Sequence, residues 1–259
     1  MTAPTTSEAL KKVRPGPVFL GLLLVAGAGL YLLAQSGSER TALAITGAVL
    51  FVLAGWVISL SLHEFAHAFT AYRFGDTSVD TRGYLTLNPL KYTHPGLSIG
   101  LPLLIILMGG IGFPGGAVYL HTQGFTKMQR TRVSLAGPAT NLVLGVALLA
   151  VARLVDADEH RNLAGALVML AFLQITATVL NILPVPGFDG YGAIEPWLPD
   201  DIRATADKIA PYGFLLIFAL LFVPALNRAF FDVVFGLVDL SGLPRWLISY
   251  GWNLFVFWR

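Results

Sequence analysis

Between Leu43 and Leu62 the chain carries no charged side chain, and this run ends in His63-Glu64-Phe65-Ala66-His67. A helix needs about 20 apolar residues to cross the hydrocarbon of a bilayer, and this run supplies them. In lipid the backbone must satisfy its own hydrogen bonds, so the segment is expected to be a helix. Two histidines four residues apart then project from one helix face and can grip one Zn²⁺. The glutamate between them can move a proton on and off water. Ionisable groups at such depth are costly and usually functional. No lysine or arginine lies between Arg40 and Arg73 to pair with Glu64, which argues against a plain buried ion pair. Arg73 marks the water interface ~14 Å along the helix from Glu64. The pattern therefore predicts a metal site inside the bilayer, near one face, and a protease that cuts there.

The rest of the composition fits a membrane protein. Of 259 residues, 55% are hydrophobic and 12% charged, against about 25% charged in soluble domains. Mean hydropathy is +0.70. Cysteine is absent, which excludes disulfides, thiol nucleophiles and cysteine metal sites. Any metal must use His, Asp or Glu. A net charge of +2 without a basic stripe gives no sign of a nucleic-acid partner.

Apolar segments of spanning length occur at 17–34, 42–72, 133–154, 163–183 and about 212–226. The first lacks a small-x-small cleavage site and reads as a retained helix, not a signal peptide. These segments predict an all-α polytopic membrane protein, a bundle of five to six transmembrane helices. Three regions are expected: a polar tail over 1–15, a membrane-embedded core over 16–226, and an amphipathic or membrane-associated tail over 227–259. That tail carries Trp246, Trp252 and Trp258, and lies at the interface or crosses once more.

Basic residues cluster at 11–14, 73–91, 127–132 and 203–208. The positive-inside rule puts these on the cytoplasmic side, with the N-terminus. The stretch 95–114, rich in Pro and Gly, then has both flanks on one side. It is expected to be re-entrant, since broken backbone at membrane depth is tolerated where protein or a wet cavity covers it.

A catalytic zinc needs a third protein ligand and an open position. Glu159 falls in the opposite turn, and Glu195 in a loop. Asp189 ends the segment Asn181-Ile182-Leu183-Pro184-Val185-Pro186-Gly187-Phe188-Asp189-Gly190, where two prolines break a helix. It reads either as an inward-pointing ligand or as a plain Asp-Gly turn. As a ligand it must reach the side of the membrane where 133–154 began. That requires no net crossing over 73–132.

These residues together resemble the site-2 protease family of zinc intramembrane metalloproteases. HEFAH matches its HExxH, NILPVPGFDG its Asn-x-x-Pro-x-x-x-x-Asp-Gly, and Ala136-Gly137-Pro138-Ala139-Thr140-Asn141 its Gly-Pro-x-x-Asn. Thr86-Leu87-Asn88-Pro89-Leu90 resembles the segment after the HExxH helix in small bacterial members. The resemblance runs from about Ala42 to Phe222. The chain is expected to lack the PDZ domain of some members and to carry no nucleotide-binding domain after the core. It implies one zinc held by His63, His67 and Asp189, with Glu64 as catalytic acid/base. Asn181 would sit by the substrate carbonyl or oxyanion. Asn141 would help hold a substrate strand or act as interhelical glue; Gly137 and Pro138 would allow close packing and a kink. The implied partner is a single-pass membrane protein, cut in the plane of the bilayer.

Two alternating segments, Tyr84–Leu87 and 117–120, are read as a small cytoplasmic β-hairpin that caps the site or offers an edge to an unwound substrate. His94 and His121 flank the re-entrant stretch, and His160 reads as a turn residue. The rival functions are a metal-ion transporter using the same ligands and a non-catalytic relative that binds membrane proteins. A prenyl-protein type of zinc protease would need a downstream glutamate ligand on a helix, and no helix here carries one.

Overall fold

The computed structural model describes residues 4–92 and 118–258, and every regular element among them is helical. A short helix α1 (Thr6–Lys12), started by a Thr5/Glu8 capping box, precedes α2 (Pro17–Gln35). The long α3 (Ala42–Arg73) starts on Thr41, whose hydroxyl accepts from Ala44 N. Two single turns follow, α4 (Ser78–Thr81) and α5 (Pro89–Tyr92). Beyond residue 118 come α6 (Lys127–Ala152), with a Thr126/Gln129 capping box, and α7 (Arg161–Ile182). Short helices complete the chain: α8 (Asp189–Ile194), α9 (Asp200–Ile209), α10 (Gly213–Leu221), α11 (Pro224–Asp239) and α12 (Trp246–Phe255).

Four of these helices, α2, α3, α6 and α7, are long and apolar enough to cross a membrane. This is an all-α membrane protein. The expected fifth span over 212–226 is not one helix. Its helical part, α10, has 9 residues, or ~14 Å at 1.5 Å per residue, against ~30 Å of hydrocarbon. Pro224 then starts α11. The proposed re-entrant stretch 95–114 lies outside the described residues.

The central post of the bundle is α7, in which every residue from Ala164 to Thr176 is buried. By contrast α2 buries only Phe19, Gly29 and Leu33. The tail, expected to lie at the interface or to cross once more, contributes to the buried core. Val234, Val238, Leu247, Leu254 and Phe255 are buried in the cluster that holds Leu167 to Ile175. Gly165 and Gly251 make this possible. A Cβ on Gly165 would meet Tyr250 Cδ1 at 2.8 Å and Gly251 N at 3.2 Å, so α12 seats backbone to backbone on α7. At this far end Asn162, fully buried, donates to Ser36 Oγ (3.1 Å) and Glu39 O (2.8 Å) and accepts from Tyr250 OH (2.7 Å).

A polar atom in the middle of α7 is unmatched. Gln174 is 2% exposed, and its Oε1 has no hydrogen-bond partner among the described residues. A buried polar atom left so costs about 1–3 kcal/mol. Gln174→Leu, similar in volume, is expected to stabilise the protein by about 1–2 kcal/mol, seen as a raised unfolding midpoint in detergent. An unchanged or lowered midpoint would mean the amide is satisfied.

The expected β-hairpin is absent among the described residues. Tyr84–Thr86 forms a 3-10 turn. Gly83 before it and Leu87 after it both hold left-handed φ (74° and 55°), which curls the backbone where a strand needs it extended. The carbonyls of Leu85 and Thr86 accept from Arg14 N (3.2 Å) and Gly16 N (2.8 Å) of the linker between α1 and α2. Of the second segment, Val118 to Leu120 are irregular, and residue 117 lies outside the described residues.

Both edges of the undescribed stretch meet at one end of the bundle. Asp76 Oδ2 accepts from His121 N (2.7 Å), and Arg82 donates to Tyr119 O (2.6 Å). The end of α3 and the start of α6 thus lie together.

Candidate metal centre

At that same end α3 runs antiparallel beside α6, and the chain leaving α7 turns back beneath both. His63, Glu64 and His67 are all buried on α3. Pro184 and Pro186 stop α7 after Ile182, and tight turns follow, Val185 N to Leu183 O (2.8 Å) and Phe188 N to Val185 O (3.0 Å). They return the chain so that Asp189, first residue of α8, faces the imidazoles. Gly187 sits at φ +98° with its open side against Ala210 O, a conformation and a clearance that favour glycine.

His63 Nε2 lies 3.1 Å from Asp189 Oδ2, and His67 Nε2 3.3 Å from Asp189 Oδ1. The two Nε2 atoms are 3.1 Å apart. Each ring is anchored from behind. His67 Nδ1 donates to Val133 O (2.7 Å), and His63 Nδ1 lies 3.3 Å from Asn141 Oδ1. A carbonyl can only accept, so the proton of neutral His67 is on Nδ1 and its Nε2 presents a lone pair.

These atoms suit a cation. Two ring nitrogens and two carboxylate oxygens converge with no donor among them, and Asp189 Oδ2 is buried without a hydrogen bond. Ligands of a tetrahedral zinc with bonds of ~2.0–2.1 Å stand about 3.3 Å apart, close to these separations. An N₂O donor set with a fourth direction open is the catalytic pattern for zinc. His63, His67 and Asp189 are the group of such side chains, among the described residues, whose donor atoms fall within 4.8 Å of one another.

The other residues marked in the sequence fall as follows. Asn181 is half-buried in the last turn of α7, its side chain without a hydrogen-bond partner among the described residues. Glu195 is taken by Arg130 and Arg203. With Thr131 Oγ1 donating to Ala193 O (2.6 Å), this ties α8 to the start of α6. Glu159 and His160 lie in the far turn before α7. His121 meets Ser78 Oγ (2.9 Å), and His94 is outside the described residues. Gly137 plays a part that its reading as a packing residue missed. A Cβ there would press on the Nε2 atoms of both histidines, at 2.5 Å from that of His63. The available signal was its place one turn before Asn141.

Two imidazoles and a carboxylate around a cation-sized gap, with a buried glutamate next in sequence, define a centre of the zinc metalloprotease kind. Relatives agree. The chain is 52% identical over 248 residues to "Putative zinc metalloprotease Rip2" of Mycolicibacterium smegmatis, covering 96% of each. It is 49% identical to the protein of the same name from Mycobacterium tuberculosis, again over 96% of each. The like-named YwhC of Bacillus subtilis is 33% identical over 180 residues, 66% of this chain and 79% of that one. No family model matches the chain, and no solved structure does. The chain belongs to the site-2 protease family of zinc metalloproteases, as a compact member of the Rip2 and YwhC kind. It is an enzyme, and its metal is zinc.

Proposed function

We propose that this protease is an endopeptidase that cuts a transmembrane segment of a single-pass membrane protein. It would be a multi-pass protein of the cell membrane, with its N-terminus and the mouth of its active site on the cytoplasmic side. The observation that carries this reading is depth. The imidazoles and Glu64 are buried on α3, at the end of a run from Leu43 to Leu62 that has no charge. A soluble peptide has no ready path to that position, while a helix in the same bilayer reaches it sideways. The basic flanks at 73–91 and 127–132 support the orientation.

In this reading His63, His67 and Asp189 hold one zinc. The bound ion supplies a Lewis acid that polarises a carbonyl and acidifies water. Glu64 takes the proton from the attacking water and returns it to the leaving amine nitrogen. Asn181, half-buried and with no hydrogen-bond partner among the described residues, donates to the oxygen that gains charge, where one donor is typically worth ~3 kcal/mol. A helical substrate hides its peptide bonds in i→i−4 hydrogen bonds and must unwind locally first.

Two measurements test this. Purified protein is expected to hold one zinc per chain, and Asp189→Ala is expected to lose it. Reconstituted in liposomes, the wild type should cleave a single-pass substrate within its apolar segment. Cleavage only outside the bilayer, or full zinc retention in Asp189→Ala, would overturn the reading.

A further inference from the structure

The same face of α6 serves both histidines in order. Val133, Gly137 and Asn141 stand at i, i+4 and i+8 along it. Because α6 runs antiparallel to α3, the earlier position meets the later histidine. Val133 O takes the Nδ1 proton of His67, Gly137 clears room at both ring tips, and Asn141 Oδ1 faces His63 Nδ1. The two anchors differ in kind. His67 is held by a main-chain carbonyl, which no substitution removes. His63 is held by a side chain that is itself only 6% exposed.

We infer that Asn141 is a positioning residue for His63: its amide oxygen holds the Nδ1 proton and so keeps the Nε2 lone pair aimed at the metal. This rests on the zinc reading of the centre and goes beyond it. It also differs from the sequence-based expectation that Asn141 holds a substrate strand or binds helices together. The bond to His63 occupies one of the two acceptor sites of the amide oxygen. Outer partners of zinc-bound histidines fix the tautomer and ring orientation, and their loss typically costs about 10- to 100-fold in metal affinity.

The test separates the amide's oxygen from its nitrogen. Asn141→Asp keeps an acceptor at the same position and loses the N–H donors. Asn141→Leu keeps the size and loses both. Zinc affinity is read by competition with a chelating indicator, on full-length protein in detergent. The visible spectrum of the cobalt-substituted protein reports ligand geometry independently of activity. Asn141→Leu is expected to lose affinity about 10- to 100-fold with a changed cobalt spectrum, while Asn141→Asp stays within a few-fold of wild type with its spectrum preserved. Thermal unfolding of the metal-free proteins identifies a variant that fails to fold, in which case the Asp variant alone decides. Wild-type affinity in Asn141→Leu, or an Asp variant as weak as the Leu variant, overturns the assignment. If zinc binds the wild type, is lost in Asp189→Ala and ignores Asn141→Leu, only this inference falls. If the wild type takes up no zinc, the reading of the centre falls with it.

Discussion

Glu64→Gln is expected to abolish peptide hydrolysis while leaving zinc in place. Glutamine has nearly the volume of glutamate, so the packing of a residue only 4% exposed is kept. It is not among the three side chains whose donor atoms converge, so the ion should remain. What disappears is a group that can accept a proton and hand it back. General acid–base catalysis typically contributes about 10²- to 10⁴-fold, and here one residue serves in both directions. Metal content and cleavage rate measured on one preparation decide the matter. Residual cleavage above about a tenth of wild type, with zinc present, would place the base elsewhere.

Gly137→Ala is expected to have an effect of opposite character. In a helix interior alanine is favoured over glycine by about 1 kcal/mol, so α6 by itself should not weaken. The added methyl, however, points at the ring tips of His63 and His67. Either the imidazoles turn away or the helices part, and both outcomes spoil the gap between the two Nε2 atoms and Asp189. Zinc affinity should fall by at least the ~10- to 100-fold that disturbed ligand orientation costs, while the unfolding midpoint of the metal-free protein holds or rises. Metal analysis beside a thermal scan of the apoprotein checks both parts. Full zinc retention would show that α6 leaves room for a methyl beside the histidines.

The centre was more legible in the chain than the fold around it. His63 and His67 declare themselves because helical spacing alone puts them on one face, and the apolar run before them gives their depth. Asp189 needed more: a proline break to present it, and a topology that returns it to the same end, which the placement of basic residues supplied. The structure brings all three within reach of one ion. Other features turn on contacts that one residue's identity does not reveal. Tyr84–Leu87 alternates like a strand, yet the left-handed φ of Gly83 and Leu87 curls it into a turn, and only the glycine hinted at that. The C-terminal helix reads from its tryptophans as interfacial or as one more crossing. Its burial depends on Gly251 meeting Gly165, a pairing across the fold that neither glycine announces. Gly137 is the same case at the metal: a missing Cβ matters only once its neighbour is known.

The two parts of the ligand set, α3 and the turn beyond α7, are separated by more than a hundred residues of chain. An ion gripped from both is therefore a clasp as well as a reagent. Tying off a loop of that length with a cross-link is worth ~4–5 kcal/mol on chain-entropy grounds, comparable with the whole net stability of many small proteins. Metal supply would then govern how long the folded molecule survives, and not only how fast it turns over.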